Sequence, residues 1–163
     1  MTTVPKISIV YGALRSGTTM FRLMLDHHPR IWAPGESDFL FDHLYWDVDR
    51  HRFAVDAEAL MRDRIKNAHL DAVNFGADAV ETVRNMVVQL AEGRDHITLV
   101  LHRGLDRALE IFPEAQVVHL LRDPRDVARS CIGMGWAGTV WHGLDNWLHT
   151  ETLWDTAAAD LPQ

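Results

Sequence analysis

The chain has 163 residues, of which 47% are hydrophobic and 24% charged, a composition typical of a folded globular domain. Its 16 basic and 23 acidic residues give a formal net charge of −7, which argues against general binding to nucleic acid. The single cysteine, Cys131, excludes an internal disulfide and suits a reducing compartment.

No apolar run approaches the roughly 20 residues that a membrane-spanning helix needs. The first residues also lack the apolar centre of a signal peptide. We therefore expect a single α/β domain over residues 1–163, located in the cytoplasm and without a membrane span.

A strand, a glycine loop and a helix are the first predicted elements. Residues 7–11 are apolar without alternation, which predicts a strand buried on both faces. The loop runs from Gly12 to Gly17, and a helix with apolar side chains at helical spacing follows to about residue 27. This order aims backbone N–H groups and the positive end of a helix dipole at one point, which suits a phosphate or a sulfate.

The glycine loop is close to the G-x-x-x-x-G-K-[ST] phosphate loop of nucleotide hydrolases but lacks its lysine. Gly12, Gly17 and Thr19 match that pattern, whereas Thr18 occupies the lysine position. Arg15 is the nearest fixed cation, so we expect a phosphate-like group held by backbone amides and this arginine. The alternative is a strand–turn–helix whose glycines serve only the turn.

The next part of the chain is predicted to be mainly helical. Residues 31–33 form a short extended piece, and residues 39–46 a helix. In the more polar stretch 47–96, residues 57–68 and 78–91 combine good helix formers with apolar side chains three and four apart. We therefore expect a helical insert between the first two strands, which either covers a ligand site or serves packing alone.

Two further strands follow the insert. Residues 96–101 are predicted to form the second strand, residues 106–112 a short helix and residues 116–121 the third strand. The turn after the second strand contains His102 and Arg103.

The third strand leads into a second informative stretch. Asp123 is a suitable N-cap for a helix over residues 124–133, and Ser130 lies two turns along it. Arg122 lies at the carboxyl end of the strand, the edge at which open α/β sheets bind ligands. The alternative is that Arg122 is a surface residue paired with Asp123 or Asp126.

Four tryptophans dominate the tail, and we expect them to pack in the core: Trp136, Trp141, Trp147 and Trp154. Three strands are fewer than the five or six of an average sheet. The last residues, 161–163, also suggest no final element. We therefore expect the domain to be incomplete at its C-terminus.

Taken together, the two informative stretches resemble the sulfotransferases that use 3′-phosphoadenosine-5′-phosphosulfate (PAPS). Residues 112–130, which include Arg122 and Ser130, are similar to the family's segment for the 3′-phosphate. The loop that is similar to its 5′-phosphosulfate loop consists of Arg15, Ser16, Gly17, Thr18 and Thr19. The two motifs lie in the family's order and about a hundred residues apart. The resemblance covers roughly residues 5–45 and 96–135.

The resemblance implies a fold of the P-loop type, with three α/β/α layers around a central parallel sheet. Within the family, the chain is nearer the bacterial and tyrosyl-protein branch, because Asp26-His27-His28-Pro29 is followed by Gly35-Glu36-Ser37. In that branch a glutamate at this place is the base that acts on the acceptor hydroxyl. The resemblance therefore implies Glu36 as the catalytic base.

The chain departs from the family's pattern in two places. His102 and Arg103 stand near a position where the family commonly has a lysine, so that either is a candidate for stabilising charge on the leaving group. His102 is also an alternative base, as a histidine is in the cytosolic branch. The family's C-terminal Tyr-Glu-x-Leu-type stretch is absent, which supports the expectation of a C-terminally truncated domain.

The sequence thus predicts a sulfotransferase that moves a sulfuryl group from PAPS to a hydroxyl or amine of a small molecule, leaving 3′,5′-adenosine bisphosphate (PAP). Glu36, Arg15 and His102 are the catalytic candidates. No histidine spacing matches a familiar metal site, so no metal is expected. Two alternatives stay open: a small-molecule or nucleotide kinase, against which the missing lysine argues, and a non-catalytic nucleotide-binding remnant.

Overall fold

The computed structural model describes residues 4–159, so that expectations about residues 1–3 and 160–163 lie outside the described part. The strands of that part are β1 (Lys6–Tyr11), β2 (Leu44–Asp47), β3 (Arg52–Val55), β4 (His96–Leu101) and β5 (Gln116–His119). Its helices are α1 (Thr18–Asp26), α2 (Phe39–Asp42), α3 (Ala57–Arg62), α4 (Arg64–His69), α5 (Ala79–Ala91), α6 (Leu105–Ile111), α7 (Pro124–Gly133) and α8 (Val140–Ala158).

A parallel sheet with the order β4-β1-β5 forms the centre of the fold. The central strand β1 is buried, as its unbroken apolar run predicts, and Ile9 and Val10 are fully covered. Tyr11, the last residue of β1, lies opposite Leu101 of β4 and His119 of β5. The predicted α/β fold with a central parallel sheet is confirmed. The loops that follow its three strands therefore leave the sheet side by side.

The extended piece predicted at residues 31–33 is present at the edge of this sheet. Trp32 pairs with Ile97, and Glu36 with Val100, both in parallel orientation beside β4. The second of these pairs brings Glu36 to the carboxyl end of β4.

The helix predicted over residues 39–46 is wrong in its second half. Helix α2 ends at Asp42, and β2 then pairs with β3 as an antiparallel hairpin. The rings of Trp46 and Phe53 meet edge to face across this hairpin, with centroids 5.4 Å apart. Aromatic and β-branched side chains favour strands once a partner strand is available. The partner here, β3, begins at Arg52, beyond the residues from which the helix was predicted.

The helix predicted over residues 57–68 is divided into α3 and α4 at Asp63. The backbone of Asp63 is extended, and its carboxylate accepts hydrogen bonds from the N–H groups of Ile65 at 2.7 Å and Lys66 at 2.9 Å. An aspartate that captures these amides begins a new helix instead of continuing the old one. The other predicted helices, α1, α5, α6 and α7, agree with the sequence analysis to within a residue or two.

The tail forms helix α8, which packs on α7 and on the sheet. Trp154 stacks on His119 with a centroid separation of 4.1 Å, so that this tryptophan packs as expected. Trp136 and Trp141, in contrast, are 54% and 75% exposed. The prediction that the tryptophans of the tail pack in the core is therefore wrong for these two. Trp141 lies on the face of α8 that the sheet leaves uncovered, and Trp136 lies in the segment between α7 and α8.

Candidate functional site

The loops after the three parallel strands converge at the carboxyl edge of the sheet. The N–H of Gly12 donates to the carbonyl of Leu101 at 3.2 Å, and the N–H of Leu120 donates to the carbonyl of Tyr11 at 2.8 Å. A Cβ on Gly12 would lie 2.6 Å from the carbonyl oxygen of Leu120, so only glycine permits this approach. The glycine loop is therefore fixed between the ends of β4 and β5.

The start of α1 is open toward this edge. Gly17 precedes the helix with φ of 97°, in the left-handed region, and within residues 4–159 no side chain caps the first turn. The hydroxyl oxygen of Ser16 is buried and has no hydrogen-bond partner among the described residues. Uncapped N–H groups and a buried, unpaired hydroxyl fit the oxygen atoms of a bound anion.

Arg15 connects this loop to the second predicted stretch. Its backbone is left-handed, with φ of 73°, and its Nε donates to the hydroxyl of Ser130 on α7 at 2.9 Å. The guanidinium also lies 5.5 Å from the ring centroid of Trp136. The structure therefore brings together Arg15 and Ser130, which the sequence analysis selected from separate motifs.

Arg122 completes the same cluster. Its Nη1 donates to the carbonyl of Arg15 at 2.9 Å, and its own carbonyl accepts from the indole N–H of Trp147 at 3.1 Å. The alternative surface pairing is also present, since Nε of Arg122 is 3.9 Å from Asp126. Asp123 takes no part in it, because its side chain binds Arg125. Two arginines thus lie next to one another at the edge of the sheet.

His102 lies beneath the glycine loop, in a buried chain of polar groups. Its Nδ1 is 2.9 Å from a carboxylate oxygen of Asp38, and its Nε2 is 3.3 Å from the hydroxyl of Thr18. The other oxygen of Asp38 accepts from the backbone N–H groups of His102 at 2.8 Å and Arg103 at 3.2 Å. The predicted residues His102 and Thr18 are therefore in contact.

Asp38 was missed by the sequence analysis. An aspartate before an apolar run is a recognised helix-start signal, and Asp38 does precede α2. Its main partner, however, lies 64 positions further along the chain. Such a pairing depends on the fold and has no local pattern.

Glu36 is exposed at the same edge, beside Arg103. Nε and Nη2 of Arg103 bind the two carboxylate oxygens of Asp42 at 2.7 and 2.5 Å. These hydrogen bonds, together with the charges of Asp38, Asp42 and Glu36, raise the pKa of Arg103. Arg103 is therefore a permanent cation, and it is near enough to the candidate base for the charge of Glu36 to contribute to this shift.

Neither a cluster suited to a metal ion nor a membrane-spanning helix occurs within residues 4–159. In this part of the chain no group of three or more His, Cys, Asp or Glu side chains is arranged to hold a metal ion. Among the same residues, no helix has the length and apolar character needed to cross a membrane.

The comparisons with known proteins bear on the family and the fold of the chain. The family model described as "Sulfotransferase family" matches residues 7–162. Among solved structures, the chain is similar to the sulfotransferase domain of the olefin synthase from Synechococcus PCC 7002, with 20% identity, a TM-score of 0.66, and coverage of 97% of this chain and 63% of that one.

A second solved structure, the sulfotransferase domain from the curacin biosynthetic pathway, is similar with 16% identity, a TM-score of 0.63, and coverage of 97% of this chain and 64% of that one. At such identities the likeness shows the fold alone. The chain spans less than two thirds of the length of either domain. A search of curated proteins finds no significant match.

Proposed function

We propose that this chain, which belongs to the sulfotransferase family, transfers a sulfuryl group from PAPS to a hydroxyl or amine of a small-molecule acceptor. The observation that carries the proposal is the hydrogen bond from Arg15 to Ser130 at 2.9 Å. This hydrogen bond joins two parts of the chain that each suit an anion. One is the glycine loop after β1, and the other is the stretch from β5 into α7. PAPS has an anionic group at each end of its ribose, and so needs two such sites close together.

The residues of the loop fit the 5′-phosphosulfate. The uncapped start of α1 and the unpaired hydroxyl of Ser16 offer hydrogen bonds to its oxygens, and Thr19 is exposed at the same turn. Thr18 stands where ATP- and GTP-binding loops have a lysine that reaches the terminal phosphates. A donor with a single 5′-phosphosulfate suits this loop better than a triphosphate does.

Arg122 and Ser130 are proposed to bind the 3′-phosphate. Arg122 retains exposed guanidinium surface at the carboxyl edge, and Ser130 presents its hydroxyl beside Arg15. Arginine and hydroxyl donors are well matched to phosphate oxygens. Recognition of a 3′-phosphate would distinguish PAPS from ATP.

The chemistry proposed for this chain's residues is mainly electrostatic. PAPS, when bound, supplies an activated sulfuryl group whose departure leaves negative charge on the 5′-phosphate side. Arg15, the hydroxyl of Ser16 and the backbone N–H groups at the start of α1 stabilise that charge. Losing one such donor typically costs about 3 kcal/mol of transition-state stabilisation. Positioning contributes the rest, as in phosphoryl transfer.

Glu36 is proposed as the base that accepts the proton of the acceptor. It is exposed at the carboxyl edge, where an acceptor has access, whereas the alternative base His102 is buried against Thr18. General-base catalysis contributes about 10²–10⁴-fold to a rate. Glu36 also occupies the place of the glutamate base in the branch that the sequence resembles.

The proposal is tested by measuring PAP binding to the chain by calorimetry and sulfuryl transfer from PAPS to a panel of hydroxyl and amine acceptors. Micromolar binding of PAP without magnesium, together with transfer to at least one acceptor, is the expected result. Magnesium-dependent binding of ATP in place of PAP would favour a kinase. Binding of PAP without transfer to any acceptor would favour a non-catalytic remnant.

A further inference from the structure

We propose that Asp38 is a positioning residue that acts through His102 on Thr18, and so holds the first turn of α1 where an anion is bound. The inference deepens the proposed function and rests on it. The proposal gives His102 and Thr18 roles as supports of the loop, distinct from the base, charge-stabilising and donor-binding roles that the resemblance implies for them.

The three side chains form an unbroken buried chain of hydrogen bonds. Asp38, His102 and Thr18 are 2%, 5% and 4% exposed. Asp38 accepts three N–H bonds, two from backbone and one from Nδ1 of His102 at 2.9 Å. The carbonyl of His102 accepts from the hydroxyl of Thr150 on α8 at 3.2 Å, which holds the same residue from the other side.

Asp38 determines which ring nitrogen of His102 carries the proton. A carboxylate only accepts hydrogen bonds, so the ring nitrogen that faces Asp38, Nδ1, bears the hydrogen. In the neutral ring Nε2 is then an acceptor, and the hydroxyl of Thr18 donates to it across 3.3 Å. The hydroxyl proton of Thr18 is thus directed inward, away from the open edge.

Thr18 is the first residue of α1 and follows Gly17. A Cβ on Gly17 would have no atom of the described residues within 4 Å, apart from its chain neighbours, so Gly17 itself is not held by packing. Fixing Thr18 therefore fixes the N–H groups that point at the anion. In a lysine-containing phosphate loop the corresponding side chain reaches outward to the ligand. Here the side chain at that position, Thr18, points inward and anchors the helix start. The contacts with the anion are made by the backbone, by Ser16 and by Arg15.

Buried polar groups destabilise a fold unless each one is hydrogen-bonded. Asp38 and Thr18 lie 64 and 84 positions from His102 in the chain, yet both are buried and hydrogen-bonded to it. This chain of buried groups ends at Thr18, directly under the glycine loop. We therefore infer that it holds the loop rigid.

The first experiment separates anchoring from stability at Thr18. Thr18→Val keeps the shape but removes the hydroxyl, and we expect PAP to bind about tenfold more weakly, with little change in thermal unfolding. Thr18→Ser restores the hydroxyl but loses a buried methyl group, and we expect it to recover most of the lost affinity although it is less stable. Thr98→Val, at a buried threonine of β4, is the control and should bind PAP as the unmodified chain does.

The second experiment shows that Asp38 acts through Thr18. Asp38→Ala frees the His102 ring and should also weaken PAP binding about tenfold. The double variant, Asp38→Ala with Thr18→Val, should bind PAP with an affinity within about twofold of that of Thr18→Val alone. The reason is that both substitutions remove the same anchor of the loop. Losses that simply add would mean that Asp38 and Thr18 act independently of each other, and would overturn the inference.

The third readout needs no ligand. Long-range ¹H–¹⁵N correlation spectra should give the Nδ1–H form for His102 in the unmodified chain. In Asp38→Asn the side-chain amide donates to Nδ1, and the ring proton should move to Nε2. An unchanged form in Asp38→Asn would contradict the assignment.

The outcomes distinguish the inference from the function on which it rests. If the unmodified chain does not bind PAP, the proposed function fails and the inference with it. If the unmodified chain binds PAP and Thr18→Val binds it equally well, only the positioning role is overturned.

Discussion

The side chains of Arg15 and Ser130, 115 positions apart in the chain, are joined by a hydrogen bond of 2.9 Å. Arg15 belongs to the loop after β1, and Ser130 to the helix that follows β5. Because β1 and β5 are adjacent parallel strands, the elements after them start from the same edge of the sheet. The contact therefore depends on the strand order β4-β1-β5.

Removal of either arginine should weaken donor binding. We expect Arg15→Ala and Arg122→Ala each to lower the affinity for PAP by about ten- to a hundredfold, since hydrogen bonds to charged groups contribute about 1.5–3 kcal/mol. Isothermal titration calorimetry measures the affinity. Arg62→Ala is the matched control, because this arginine is exposed on α3 and pairs with Glu58 away from the site. Unchanged affinity in both site variants would rule out the cluster as the donor site.

Substitution of the proposed base should lower the rate of sulfuryl transfer and leave the affinity for PAP nearly unchanged. In Glu36→Gln we expect sulfuryl transfer to fall by about 10²–10⁴-fold, while the affinity for PAP stays within about threefold, since the base acts on the acceptor. Steady-state rates and calorimetry give the two quantities. Glu58→Gln, which changes an exposed glutamate on α3, serves as the control. Normal turnover in Glu36→Gln would show that another residue is the base.

The contact between α7 and α8 should reverse the usual effect of replacing a helical glycine. A Cβ on Gly143 would lie 2.8 Å from the Cα of Ala128, so we expect Gly143→Ala to destabilise the chain by about 1–2 kcal/mol, despite alanine's better helix propensity. Gly133→Ala meets nothing within 4 Å among the described residues and should stabilise by about 0.5 kcal/mol. Urea unfolding measures both, and an equal gain in the two variants would mean that the helices move apart at little cost.

Asp123 should make stability depend on pH in acid. Hydrogen bonds from the Arg125 side chain lower the pKa of Asp123 to about 2. Because this folded-state pKa lies below the unfolded value of about 3.9, the stabilisation is present above about pH 4 and is lost as the pH falls toward 2. Asp123→Asn keeps a helix cap but does not titrate there.

The test of this dependence compares the urea midpoints of the unmodified chain and Asp123→Asn between pH 5 and about 2.5. The difference between the two should shrink as the pH falls, and salt near 1 M should reduce it because the pair is exposed. Parallel pH profiles would show that Asp123 titrates alike in the folded and unfolded states.

The parts of the fold that the sequence predicts well are those with strong local signals. The apolar runs of β1 and β4 mark strands buried on both faces, and the cap at Asp123 marks the start of α7. The parts that it predicts wrongly depend on distant partners. The β2–β3 hairpin is one, since the strand that contains Trp46 is paired with the strand that contains Phe53.

The candidate site divides in the same way. Arg15, Ser16, Arg122 and Ser130 could be selected from the sequence because the loop and the strand–helix stretch have recognisable local patterns. Asp38 could not be selected, because its role depends on a contact with His102 that forms only when the segment after Glu36 lies along β4.

The amino-acid sequence by itself thus determined the three central strands, most of the helices and the two stretches proposed to bind anions, because backbone propensity and apolar periodicity act over a few neighbouring residues. Tertiary structure alone decided that these stretches meet, that His102 faces inward to Thr18, and that Asp38 holds it there. Those relations depend on strand register and on which loops share the carboxyl edge, and burial across the whole chain sets both.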